Sequence, residues 1–591
     1  MVNKQPFTVA SIEFNPRLNN LDDNIRELMK SVTEAAENGA KLIVTPEMAT
    51  TGYHYESPQA IKDFVDTIPG KTTVAFEEIA RRYHTHIVIG MAEVDEEDQL
   101  YYNSAALVGP DGYIGKYRKM HLWAAEENWA SWGNIGVPVY ETAIGKVAMI
   151  ICMDSTYFES ARIAAVNGAD ILCFPTNSTG GSLSMLQSWA EMNGMYVIGA
   201  NRSNTEKDYH MIGASAIWSP TGEKLAETPY VEQEEARKEA NILYAEVHPL
   251  QYDNAAKRRL QKRRPGIYRD LMLYTGPWND RAQYFLNEEN QGGKKCSMAL
   301  LQYEPEIGDR KTNLEMIKAL LHEATKKARQ EKSELSLVVC PELSLSGPVD
   351  SIDVKTIKQL GETVEDETVE EMKKLARQYS IHLVFGMIER DRHLLYNTVF
   401  LFTPTGEMAT KARKIHLTES DERWATPGEE VVVTDIKGLG RVGLMVGYDA
   451  AFPEIAGGMA VKQANMMIIP SSWYGEYGEN LSLHAKMMEN KFPVNSMTTW
   501  DATARFSQAI TMVANFIGTE HKYKGGSAIY TLDPLYGGAK PVVASSDKEE
   551  AFVAMIPQMP SDWWFDQRKL LLSRRADYYR PLVMNQNLVE K

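Results

Sequence analysis

Short apolar runs alternate along this chain with amphipathic stretches. Ile25, Leu28, Met29 and Val32 recur at i, i+3, i+4 and i+7, the spacing that predicts a helix with one apolar stripe. Ile317, Leu320, Leu321 and Ala324 repeat it in the second half. Each predicted helix is followed by a β-branched run ending in Pro-Glu, at Pro46-Glu47 and at Pro341-Glu342. Further strands are predicted at 86–90 and 382–386, at 147–151 and 442–446, and at 171–174 and 467–469. Continuous apolar runs of this length suit strands buried on both faces and alternating with helices. Each half therefore reads as a layered α/β domain.

The two halves also match residue for residue. Lys41 to Glu47 answers to Ser336 to Glu342, Arg118-Lys119-Met120-His121-Leu122 to Arg413-Lys414-Ile415-His416-Leu417, and Gly145 to Asp154 to Gly440 to Asp449. Every pair lies 295 positions apart, as Lys119 and Lys414 show. Three ordered matches at one offset establish a duplication. The polar stretch 287–295, with Gly292-Gly293 inside it, lacks apolar periodicity and is the expected linker. It separates a first domain, residues 1–288, from a second, residues 296–591.

At 591 residues the chain exceeds a single hydrophobic core. The formal charge of −16 argues against nucleic-acid binding, which needs a concentrated basic surface. The basic runs Lys257-Arg258-Arg259 and Lys262-Arg263-Arg264 are expected to form a solvated face. The N-terminus leads into a strand-like run without the apolar core of a secretory signal. The apolar run from Val147 to Met153 falls far short of the ~20 residues of a membrane span. The four cysteines, at 152, 173, 296 and 340, show neither paired nor metal-ligand spacing, so a reducing cytoplasm is expected and no metal site.

Three reactive groups of the first half stand where strands end: Glu47, Lys119 and Cys152. Singly, each has a plain explanation: a loop carboxylate, an exposed basic turn, a small core hydrophobe. Together they make chemistry. Buried strands in layered α/β folds project their terminal residues into a common crevice. A carboxylate can take the proton of a thiol, a lysine can lower the thiol pKa and steady an oxyanion, and the Met153 N–H lies in the same turn. Base, nucleophile and electrophile suffice for acyl transfer.

Pro46-Glu47, Tyr117 to Leu122 and Ile151 to Glu159 resemble the three motifs of the nitrilase, or carbon–nitrogen hydrolase, superfamily. Gly109-Pro110-Asp111-Gly112, Phe174-Pro175-Thr176-Asn177, Ala200-Asn201-Arg202 and Arg264 to Tyr268 resemble further family patterns. The resemblance covers nearly all of residues 5–280 and, more weakly, 297–585. It implies two tandem α-β-β-α sandwiches packed as an internal pseudo-dimer, open to further homo-oligomerisation, with neither metal nor organic cofactor. It makes Glu47 the general base, Cys152 the thioester-forming nucleophile and Lys119 the stabiliser of tetrahedral intermediates. A second glutamate usually follows the lysine. Glu127 is the expected one because it pairs with Glu422 at the repeat offset, with Glu126 as its competitor.

In the second half Glu342, Lys414 and Glu422 remain, but Gly447 stands where Cys152 does. Glycine carries no attacking atom, so this copy is expected to serve as scaffold. Cys152 is followed by Met153-Asp154 rather than the Trp-Glu of true nitrilases, which favours a small amide or N-carbamoyl substrate. Tyr53, Met153, Asn177 and Trp123 are the expected substrate-binding residues. Trp123, Trp129 and Trp132 form either an acyl wall or interface packing. Hydrolysis is the primary expectation. N-acyl transfer or nitrile hydrolysis through the same thioester, and a non-catalytic binding protein, are the alternatives.

Overall fold

The computed structural model describes residues 4–233, 240–273, 296–474, 478–518, 523–531, 535, 539–556 and 566–584. The predicted linker lies outside them. The chain divides into two compact units. The first holds residues 1–261 together with 482–489 and 574–591; the second holds 262–481 and 490–573.

The first unit contains two six-stranded sheets. One runs in the order Asn241–Val247, Phe7–Glu13, Leu42–Val44, His86–Val94, Tyr101–Gly109, Gly112–Arg118. The other runs Lys224–Glu227, Ala216–Trp218, Tyr196–Ala200, Ile171–Pro175, Gly145–Met149, Val139–Thr142. Central strands in each pair in parallel, whereas edge strands pair antiparallel. The Ser11 hydroxyl donates to Gly199 O at 2.7 Å, linking the two sheets face to face.

The predicted helix spans Leu21–Glu37, with Asp22 and Asp23 in its first turn, where the positive end of the helix dipole favours them. Its buried stripe of Leu28, Val32, Ala35 and Ala36 packs with Phe76, Ile79 and Ala80 of helix Lys71–Tyr83 on the first sheet. Helices Phe158–Val166 and Leu186–Asn193, buried along their lengths, accompany the second sheet.

The second unit repeats this plan with sheets of six strands each. Its strand Cys296–Gln302 shows why strands here look apolar throughout. Met298 and Leu300 face the core between the sheets, while Ala299 and Leu301 face helix Arg310–Gln330. Alternate side chains leave opposite faces of a strand, and here both faces are covered. The α-β-β-α expectation holds for each unit.

Each unit is completed by a segment distant in sequence. In the first, Arg574 Nε lies 3.2 Å from Glu159 Oε1 and Tyr579 Oη lies 3.3 Å from His121 Nε2. In the second, Arg263 Nε lies 2.6 Å from Glu454 Oε1 and Tyr268 Oη lies 2.6 Å from His416 Nε2. Residues 262–273 thus belong to the second unit and residues 574–584 to the first. This corrects the solvated-face reading of the basic runs. Arg263 meets a fully buried carboxylate, Arg264 donates to Ile415 O at 3.2 Å, and Lys257 pairs with Asp170. Only Arg258, beside Asp253, is exposed among the residues of these runs. Charge runs misled because partners distant in sequence, not solvent, compensate them.

Among the described residues, no helix is long and apolar enough to cross a membrane, and no cluster of three potential ligands could hold a metal ion.

Candidate active site

Glu47 follows strand Leu42–Val44 and is completely buried. Strand His86–Val94 runs close beside it, and Gly90 permits this: a Cβ there would meet Pro46 O at 2.1 Å. Lys119 follows strand Gly112–Arg118, so the ends of two strands of one sheet deliver acid and ammonium to one place. Lys119 Nζ donates to Glu47 Oε1 at 2.7 Å and to Glu126 Oε2 at 2.6 Å. Asn103, on the neighbouring strand, donates through Nδ2 to Glu47 Oε1 at 2.7 Å and also to Glu126 Oε1.

The second acid beside the lysine is therefore Glu126, fully buried on the turn Glu126–Asn128. Glu127 is exposed on that turn and stands outside the cluster. The expectation of Glu127 is corrected. The physical reason lies in the other copy, where Lys414 Nζ reaches Asp421 Oδ2 at 2.6 Å and Glu422 is exposed. Pairing glutamate with glutamate along the repeat selected two solvent-facing residues. The true equivalents differ by a methylene.

Burial raises the Glu126 carboxyl to about 7, with the Glu47 charge adding and Lys119 opposing. Burial would lower the lysine, but the Glu126 and Glu47 charges outweigh it and hold Lys119 above its ordinary value. An ammonium between two carboxylates stays charged.

Cys152 begins a tight turn three residues past strand Gly145–Met149. Its φ of +45° lies in the left-handed region, costly for a residue bearing a Cβ. Its equivalent, Gly447, has φ +33°. Both copies thus keep the same sharp strand-to-turn elbow. The Cys152 residue is 8 % exposed, and the Thr176 hydroxyl, 3.0 Å from Ser182 Oγ, stands near its sulfur. Burial, reinforced by the Glu47 charge, pushes the thiol up to about 12, while Lys119 pulls the other way. The lysine does not win because two carboxylates already neutralise it. The thiol rests protonated, beside a carboxylate that can accept its proton.

Asp154 braces the elbow. Its buried carboxylate accepts from the Ile151 N–H at 3.0 Å, the His121 N–H at 3.0 Å and the Tyr117 hydroxyl at 2.6 Å. It also lies 2.7 Å from His121 Nδ1. The chain on either side of Lys119 and the chain around Cys152 are thereby tied to one side chain. Asp154→Ala should cost about 3 kcal/mol, because several buried donors lose their acceptor. Denaturant midpoints would read this; a loss below about 1 kcal/mol would contradict the bracing role.

The expected substrate-binding residues take several places. Tyr53 is buried, and the Glu126, Glu47 and Cys152 charges reinforce the burial that raises its phenol. Trp123 lends its backbone N–H to Glu126 Oε2 at 2.7 Å, and its partly buried ring packs with Met48, Tyr53, Tyr55 and Trp129. Trp132 lies apart from that cluster, 5.7 Å under the Arg575 guanidinium. Met153 is buried in the elbow, next to the sulfur-bearing residue. Asn177 follows Thr176, and its Oδ1 and Nδ2 are both buried without a hydrogen-bond partner among the described residues.

Asn103, Asp154 and Thr176 were missed as site residues. Asp154 was within reach as a repeat match. Asn103 pairs with Asn397, which donates to Glu342 at 2.7 Å, but at 294 positions rather than 295.

The carbon–nitrogen hydrolase family matches residues 8–256 and again 297–533. Among curated relatives, a nitrilase from Pyrococcus abyssi is 36% identical over 233 residues, 38% of this chain and 86% of that protein. A citrullinase from Francisella tularensis is 30% identical over 288 residues, covering 45% and 96%. A formamidase from Bacillus thuringiensis is 29% identical over 246 residues, covering 40% and 70%. Among solved structures, an amidase from Nesterenkonia in complex with acrylamide shares 21% identity, with a TM-score of 0.37, over 44% of this chain and 98% of its own. With both of its sandwich units matched, the chain belongs to the carbon–nitrogen hydrolase family.

Proposed function

We propose that the first unit hydrolyses the C–N bond of a small amide or N-carbamoyl compound through a thioester on Cys152. The observation that carries this reading is the asymmetry of Glu47. Its Oε1 is tied to Lys119 and Asn103, while its Oε2 is buried and has no hydrogen-bond partner among the described residues. A buried, unpartnered carboxylate oxygen is costly in a resting protein. It is useful where a proton must be taken up.

In the first step Glu47 Oε2 accepts the thiol proton as the Cys152 sulfur attacks the carbonyl carbon. The oxyanion is met by the Lys119 ammonium and the Met153 N–H. Glu47 then passes its proton to the nitrogen, the C–N bond breaks, and ammonia or an amine leaves. Water, deprotonated by the same carboxylate, attacks the thioester; the acid departs and the thiol is restored. Proton transfer by one positioned carboxylate in both half-reactions contributes ~10²–10⁴-fold each. Glu126 holds the ammonium in place. Tyr53 and Asn177 contact the substrate, with Trp123 closing one wall.

Carboxamides and ureido groups are favoured over nitriles by Met153-Asp154 after the cysteine and by relatives named for citrulline and formamide. The test is brief mixing of the whole protein with a panel of small carboxamides and N-carbamoyl compounds, followed by intact-mass measurement and an ammonia assay. The expected result is an adduct equal to the acyl group, with ammonia or amine released alongside. Neither adduct nor release across the panel would overturn the reading.

A further inference from the structure

The second unit carries a near-copy of the cluster. Lys414 Nζ donates to Glu342 Oε1 at 2.8 Å and to Asp421 Oδ2, Asn397 donates to the same Glu342 oxygen, and the group opens into a cleft lined also by Ser472 and Tyr474. Beyond the missing sulfur, it differs at the other carboxylate oxygen. Glu342 Oε2 accepts from the Ser472 hydroxyl at 2.8 Å and from the Ser472 N–H at 3.2 Å. It also lies 2.3 Å from the point a Cβ on Gly447 would occupy. The carboxylate has moved into the room of a side chain and is fastened there. Ser471, the counterpart of Thr176, keeps a buried hydroxyl without a partner where Thr176 stands near the sulfur.

The residue at the Ser472 position in the first unit is Asn177. It makes no hydrogen bond to Glu47, and Glu47 Oε2 is free. We infer that this position is a lock on the base: a serine ties up the carboxylate oxygen that must accept a proton, and an asparagine leaves it available. The second centre is then disabled twice, by Gly447 and by Ser472, and Asn177 is a positioning residue of the first centre. A short hydroxyl two residues beyond the strand end reaches the carboxylate directly. The carboxamide of Asn177 is buried without a hydrogen-bond partner among the described residues. A carboxylate oxygen holding two donors is a weaker proton acceptor. The inference rests on Glu47 as the general base.

The test compares Asn177→Ser and Asn177→Ala in the whole protein, with Glu47→Gln alongside. If Asn177 only contacts substrate, both substitutions raise KM alike. If it governs the base, Asn177→Ser lowers kcat at least tenfold below Asn177→Ala, and the acid limb of its kcat profile moves to lower pH. Equal kcat values, or a slower Asn177→Ala, would overturn the lock while leaving the base reading intact. Full activity in Glu47→Gln would remove both. In a Cys152→Ala background, Gly447→Cys alone should form no acyl adduct, although iodoacetamide labels the new thiol. Adduct formation at the wild-type rate would equally overturn the inference.

Discussion

Cys152→Ala is expected to lower turnover by about 10⁴-fold or more and to erase the acyl adduct, with the fold unchanged. Alanine keeps the Cβ, so it meets the same left-handed elbow at no added strain, and Asp154 continues to brace the turn. What disappears is the sulfur alone. Cys173 and Cys340 offer no substitute, since both are fully buried among strand residues, where burial raises their thiols further still. Single-turnover mass measurement separates binding from chemistry. A persistent adduct in this variant would place the nucleophile elsewhere and remove the basis of the mechanism.

Lys119→Met should damage both activity and stability. Its ammonium is the charge that allows Glu47 and Glu126 to share a dry site, with Asn103 as their remaining common donor. Removing one partner of a buried ion cluster costs about 3–5 kcal/mol, because uncompensated charge stays behind. The cost should depend on pH. The Glu126 carboxyl already sits above its ordinary range, at about 7, so the fold prefers its neutral form. That preference stabilises fully below the unfolded value and fades as pH rises through the folded one. Without the lysine the folded value rises further. The variant should thus lose more stability at pH 8 than at pH 5 and remain inactive at both. Urea denaturation at the two pH values is the measurement; an equal loss at both would contradict the charge argument.

The duplication and the layered sandwiches were legible in the sequence; Glu47 and Cys152 sit where apolar runs end, whereas Lys119 follows the mixed strand Gly112–Arg118 and is marked by its repeat match to Lys414. Periodicity marks those ends without any tertiary knowledge. Glu126 is not legible from the repeat offset. Adjacent acids on one turn point in opposite directions, and the repeat preserved a charge and not a residue type: Asp421 stands for Glu126. Asn103 escaped because the two copies differ by one residue in the intervening stretch, which shifts it off the common offset. The partners of Arg263 and Arg574 could not be read, since contacts made by a tail depend on the body it joins. The open oxygen of Glu47 is likewise a matter of coordinates. No composition or spacing distinguishes it from the occupied oxygen of Glu342.

The interleaved ownership of the two bodies bears on how this gene can be shortened. Residues 574–584 complete the unit that bears Cys152, yet they are encoded beyond everything the second unit contributes. A stop codon near the midpoint would remove the second copy and, with it, the arginine that neutralises buried Glu159 and the tyrosine beside His121.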